Sequence, residues 1–280
     1  MSAVQIAQNL AFINWTVLTG LALGSYAAVA LLRHRSAATS GYLGFTSACA
    51  VGFGVLGWLS DASLPRDLGA SPVIADPAWD GPRRLALLAF IVLAALALVA
   101  RRVGPEVAAR AIETAALGAG GLTLVGGALT WGGGSVGTLT LLVELAVVSA
   151  ATGGVFAAMI LGHWYLVTPK LPEAPLILLA RALLGVIAIQ VGLFAIWVAT
   201  GAGPAGVAPF AALVGPWALF VWLRLIVGLV FPLVVSWAAV QTARSRSMES
   251  ATGLLYINVG TVAAGTILAA GLYFGAGLLV

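Results

Sequence analysis

Two residues of opposite charge interrupt long apolar runs of this chain. Glu144 sits in TLLVELAVV and Arg224 in VWLRLIV. An ionisable side chain at membrane depth is costly and marks function by default. A guanidinium can hold a carboxylate through two parallel hydrogen bonds, and its charge is essentially permanent. The pair therefore has three readings. It is an ion pair that fixes two helices, a polar site for a quinone head group or a proton relay, or two side chains that each reach to the interface.

The next candidates are the only two histidines. His163 lies in Gly162-His163-Trp164-Tyr165, and His34 lies between Arg33 and Arg35. A transmembrane b-type haem takes two axial ligands at similar depth. His34 is expected among water and head groups, so bis-histidine haem is not expected, and two such haems are excluded by ligand count. For His163, with Trp164 and Tyr165 beside it, the expectations are an interfacial or hydrogen-bonding role or contact with a quinone or a proton path. Cys49 is the one cysteine, so no disulfide or zinc pattern can form within the chain. There is no phosphate-binding glycine loop, HExxH or GxSxG, and no carboxylate cluster with metal-ligand spacing. No metal site, no covalently bound cofactor and no catalytic centre belonging to this chain alone is expected.

These residues must be positioned by elements that lipid permits. Of 280 residues 61% are hydrophobic and 8% charged, against roughly 25% charged in a soluble domain. Too little polar surface exists to cover a globule, so the fold is all-α and integral to a membrane. Apolar stretches near the roughly 20 residues a bilayer needs recur at about 10–32, 41–60, 85–100, 111–131, 138–167, 174–199, 216–240 and 251–277. They show no period-two alternation, which excludes a transmembrane barrel. The chain reads as one polytopic domain with candidate halves 1–135 and 136–280.

Charge asymmetry orients it. Arg33, Arg35, Arg101, Arg102, Arg110, Lys170, Arg181, Arg244 and Arg246 fall at alternate connections, leaving only Arg66, Arg83 and Arg84 for the others. Basic residues mark the cytoplasmic side, so both termini are expected outside. The net charge of +4 thus reflects membrane anchoring, and no nucleic-acid partner is expected. Arg outnumbers Lys twelve to one, as in a high-GC genome, and a bacterial cytoplasmic (inner) membrane is the expected location. Trp15, Trp58, Trp131, Trp197 and Trp217 all fall near outer ends, where interfacial rings would sit. Glu113 is expected to favour the first turn of its helix through the dipole. Asn258 and Gln190 are expected to bond between helices, and Pro232 to kink its own.

The outer loop 61–84, with four prolines and Trp79, is either a solvated connector or a docking surface for a partner outside the membrane. The stretch 200–214 is apolar and rich in Gly, Ala and Pro, suited to the interface. Gly24, Ala28, Leu32 and His34 match Gly153, Ala157, Leu161 and His163 at a constant offset, which suggests two four-helix bundles in parallel repeat. Gly118, Gly121, Gly126, Gly127, Gly153, Ala157, Gly260 and Ala264 have the spacing of close helix contacts.

Trp222-Leu223-Arg224-Leu225 early in an apolar helix, a short basic loop, and Gly271-Leu272-Tyr273-Phe274-Gly275 at the end of the last helix resemble the C-terminal part of the NrfD-like membrane-anchor subunits of dimethyl-sulfoxide-reductase type enzymes. The resemblance implies about eight helices in two bundles with outer termini. It also implies a haem-free subunit that exchanges electrons between quinone and an attached iron–sulfur subunit. Where that family carries an acidic residue in the last helix, this chain has Thr266 and Ala270. The expected function is therefore a haem-free membrane subunit of a respiratory or electron-transfer complex, anchoring a partner and contributing a quinone pocket near Glu144 and Arg224. A small transporter or channel and a structural or assembly protein are the alternatives. Cysteines placed at Ala78 and Ala205 should react with an impermeant thiol reagent from outside intact cells. Protection of both until lysis would refute the orientation.

Overall fold

Lipid offers a backbone N–H or C=O no partner, so each crossing must close its hydrogen bonds within itself. A computed structural model describes residues 3–65, 68, 71–168 and 170–280, with side chains from Asn9 onward. Its described residues form eight helices long and apolar enough to span a membrane. These are α1 (Ala3–Arg35), α2 (Ser40–Ala62), α3 (Asp80–Val103), α4 (Glu106–Trp131), α5 (Ser135–Val167), α6 (Ala174–Thr200), α7 (Ala218–Arg244) and α8 (Met248–Ala276). The fold is the all-α membrane fold expected. Arg66 lies outside the described residues.

The helices end where the sequence lets them. Thr39 accepts the Tyr42 N–H to start α2. Gly201 and Gly277 take left-handed conformations to stop α6 and α8, a backbone region that glycine enters freely. Between α4 and α5 the chain reverses at Gly132, where an added Cβ would come 2.5 Å from the Thr138 backbone. Helix α3 begins at Asp80, a turn earlier than the hydropathy suggests. Arg83 and Arg84 therefore belong to a helix and not to the outer loop. Helix α7 is not continuous: a π-helical turn, Ile226–Val230, precedes Pro232.

Consecutive helices pack from α1 to α4 and again from α5 to α8, with α8 returning to α5. Helices α1 and α5 face each other across the centre and are the two most enclosed spans. Their contact is made of backbone. A Cβ on Gly24 would lie 1.9 Å from the Ser149 carbonyl oxygen, and one on Gly153 would lie 2.1 Å from Ser25 N. Small residues let transmembrane backbones approach this closely. The Ser25 hydroxyl donates to Gly153 O at 3.2 Å, and Tyr42 donates to Ala157 O at 2.9 Å.

Other small-residue positions divide differently from expectation. Gly126 and Gly127 pack on Arg83 and Trp15, but Gly118, Gly121 and Gly260 meet nothing within 4 Å. The outward glycines make no helix contact because the packing face of α4 runs through Gly120 instead, against Leu23. The tryptophans also divide. Trp131 is buried against Phe12 and Phe274, and Trp15 is buried against Trp131, so both are core residues at an outer end and not interfacial rings.

Gly24→Val should force α1 and α5 apart. Overpacking costs about 1–3 kcal/mol, occasionally more, and the obstruction here is backbone. Thermal unfolding in detergent should show a large loss for Gly24→Val and almost none for Gly118→Ala.

Candidate functional site

Glu144 on α5 and Arg224 on α7 are brought together. Arg224 Nη2 lies 3.6 Å from Glu144 Oε1, with both residues buried (2% and 7% exposed). At that distance the contact is ionic and not a direct hydrogen bond. From the helix starts, Glu144 is about 14 Å deep and Arg224 about 9 Å, so the long Arg side chain supplies the reach. Trp197 at the end of α6 donates its indole N–H to Glu144 Oε2 at 3.3 Å. Trp197, read from the sequence as an interfacial ring, is thus a partner of the carboxylate.

The rest of the Arg224 head is met by backbone. Its Nε donates to Val280 O at 3.3 Å and its Nη1 to Gly228 O at 3.4 Å. Pro232 has no N–H to give to the carbonyl four residues back, which is that of Gly228. Pro232 and the π turn therefore leave a backbone acceptor facing the guanidinium. Gly265 on α8 completes the enclosure: a Cβ there would come 2.7 Å from Gly228 Cα and 2.9 Å from Arg224 Nη1.

Beside this pair lies a cavity of about 20 Å³, walled by Tyr273, Leu278, Leu279 and Val280 among others. One water needs roughly 10–15 Å³ on such a measure, so the space takes a single water-sized group. The donors and acceptor suit a quinone head group chemically, but the volume does not. Leu278, Leu279 and Val280 wall the cavity on one side. They are held there by Ala205 N to Gly277 O at 3.1 Å and Leu279 N to Ala202 O at 3.3 Å. The 200–214 connection, expected at the interface, serves in part to hold this segment.

The sequence alone places Arg83 among the loop charges, but it is a second buried guanidinium. Arg83 is 2% exposed. It donates to both oxygens of Asp61 (3.0 and 3.3 Å), to Asp80 at 2.9 Å and to Thr130 at 2.9 Å. Its guanidinium stacks 4.5 Å from the Trp131 ring. The signal available in the sequence was Asp80 three residues before Arg83, a helix-neighbour spacing. Asp61 across the loop gave none.

At the opposite end Glu113, 1% exposed, takes an ion pair from Arg33 of α1 at 2.5 Å and another from Arg101 of α3. The dipole reading of Glu113 is thereby replaced. It is two turns into α4, and its charge is balanced by guanidiniums from two neighbouring helices.

The histidine group is not assembled into a site. His34 and His163 are both exposed. His163 Nδ1 lies 3.2 Å from the Tyr256 hydroxyl. Trp164 packs against Tyr42, and the Tyr165 hydroxyl donates to Pro172 O at 2.5 Å. Asn258 does bond between helices, to Ser236 at 2.7 Å. Comparison with family models, curated proteins and solved structures finds no match for this chain.

Removing one member of a buried ion pair typically costs about 3–5 kcal/mol, while replacing both can be nearly neutral. Glu144→Gln alone should sharply lower the yield of folded chain. Adding Arg224→Gln should recover much of it, because the uncompensated guanidinium goes too. Additive losses, measured by unfolding in detergent, would show that the two are not coupled.

Proposed function

We propose that this chain is a haem-free membrane subunit of a multi-subunit electron-transfer complex, acting chiefly as an anchor for a partner that docks on its outer loop. The observation that carries the reading is how that loop is held. Ser71 donates to Phe274 O of α8 at 2.5 Å, and Asp76 N donates to Thr130 O of α4 at 2.7 Å. Val73 is buried, while Ile74 is 79% exposed and Trp79 37%. A mere connector gains nothing from being fastened to two helices that far apart in sequence. A docking platform does, because a pre-ordered surface avoids the cost of ordering it on binding. Trp is also among the residues that dominate interface energies.

The arrangement of charge favours an anchor over a transporter. The Glu113 cluster and the Arg83 cluster lie at opposite ends of α4, and the buried polar side chains between them, such as Tyr26, Thr46, Ser47 and Thr123, are neutral hydroxyls. A translocation path for a charged solute would need charged groups there. Both histidines lie on the exposed surface, which supports the haem-free reading. Glu144 and Arg224 then act as the pair that binds α5 to α7. With residues 277–280 in place the cavity beside the pair is too small for a quinone. The partner implied by the NrfD-like resemblance is a hydrophilic iron–sulfur subunit, in a bacterial cytoplasmic membrane.

Purified from native membranes in mild detergent, the tagged chain should bring down a partner with an iron–sulfur electron paramagnetic resonance signal. Ile74→Lys with Trp79→Ala should cut recovery of that partner several-fold and leave the amount of the chain unchanged. A chain that elutes without a redox centre under these conditions would end this reading.

A further inference from the structure

At the end of the bundle that carries Arg33, a groove of about 970 Å³ opens between α2 and α3. That volume is at the upper end of the range of small-molecule sites, roughly 300–1,000 Å³. Its upper wall is cationic: Arg33, Arg101 and Arg102 line it, with Glu106 the carboxylate among them. Its lower wall is hydrocarbon. Phe45 is 50% exposed and Val99 58%, and Gly44 has open space where a side chain would be.

We propose that this groove binds one anionic glycerophospholipid, its phosphodiester among the guanidiniums and an acyl chain along Gly44 and Phe45. Charge complementarity selects this occupant. Three guanidiniums face Glu106 on the wall and Glu113 beneath, so positive charge is in excess. Arg102 makes no ion pair among the described residues, and Arg101 keeps a buried Nε–H with no acceptor. A phosphodiester monoanion offers exposed Arg102 the partner it lacks, and guanidinium recognises phosphate oxygens well. The acyl chain explains why the cationic wall continues into exposed apolar surface on transmembrane helices. Basic pockets between helices at the cytoplasmic side are suited to anionic head groups, and the basic-residue asymmetry assigns this end to that side.

The site rests on side chains remote from the outer loop and from Glu144, so it stands apart from the anchor reading. The test is native mass spectrometry of the full chain in non-ionic detergent, with phosphatidylglycerol or phosphatidylcholine of identical acyl chains. One phosphatidylglycerol per chain should be retained at least about fivefold better than phosphatidylcholine, the effect expected of roughly one guanidinium near a lipid surface. Arg102→Gln should bring the two lipids level. Gly44→Leu, which fills the trough without touching a charge, should abolish retention. Both variants should melt with the parent, since neither position is buried. Soluble glycerophosphoglycerol should not compete, because it lacks the chains. Equal retention of the two lipids, retention unchanged in either variant, or displacement by the soluble head group would overturn the proposal. So would exclusion of phosphatidylglycerol by a protein partner seated in the groove.

Discussion

Helices α1 and α5 meet backbone to backbone at Gly24 and Gly153, and the other six helices are arranged around that contact. In lipid there is no hydrophobic force to drive helices together, because the tails are as apolar as the side chains; close packing and interhelical hydrogen bonds take its place. Two glycines on facing helices let Ser25 reach the Gly153 carbonyl, and Tyr42 reaches the backbone one turn further on. The two residues that touch are also equivalent in the faint internal repeat.

With that seam fixed, the charges fall at the ends of the bundles. Arg83 with Asp61 and Asp80 sits at one end, and Glu113 with Arg33 and Arg101 at the other. Each cluster joins elements distant in sequence, so pairing a buried charge also fixes which helices are neighbours. The desolvation penalty explains the full set of partners around Arg83, since a buried charge needs excellent geometry and satisfied hydrogen bonds to be tolerated. Glu144 and Arg224 are more loosely met, with contacts of 3.3 to 3.6 Å. Their enclosure depends on the irregular turn before Pro232 and on the segment 277–280.

The two ends of the molecule then carry different surfaces. The outer end presents the fastened segment 71–79, with exposed Ile74 and Trp79, suited to a protein. The opposite end presents guanidiniums above an apolar trough, suited to a lipid. The anchor role proposed for this chain would use both, one as a seat for a partner and the other as a grip on the membrane.

Composition and hydropathy by themselves determined the membrane class, the number of helices and most of their boundaries, although α1, α3 and α4 begin a turn or more before the apolar stretches do and α7 runs a turn further. Those depend on local hydrophobicity and on the rule that backbone groups be satisfied within each crossing, which any single segment reveals. Opposite signs inside two long apolar runs also made Glu144 and Arg224 legible as a candidate pair. The tertiary structure decided everything that depends on azimuth and on distant partners. Trp15 and Trp131 turned inward, and Arg83 moved from loop to core. Glu113 gained Arg33 and Arg101, and Gly120 replaced its neighbours as the packing face of α4. Uniformly apolar helices carry little periodic signal for which face is inside, since lipid and protein interior select the same residues. The room for a quinone was beyond the sequence for a related reason. A cavity's volume is set by how several helices and the 277–280 segment pack at once, and no spacing along the chain encodes it.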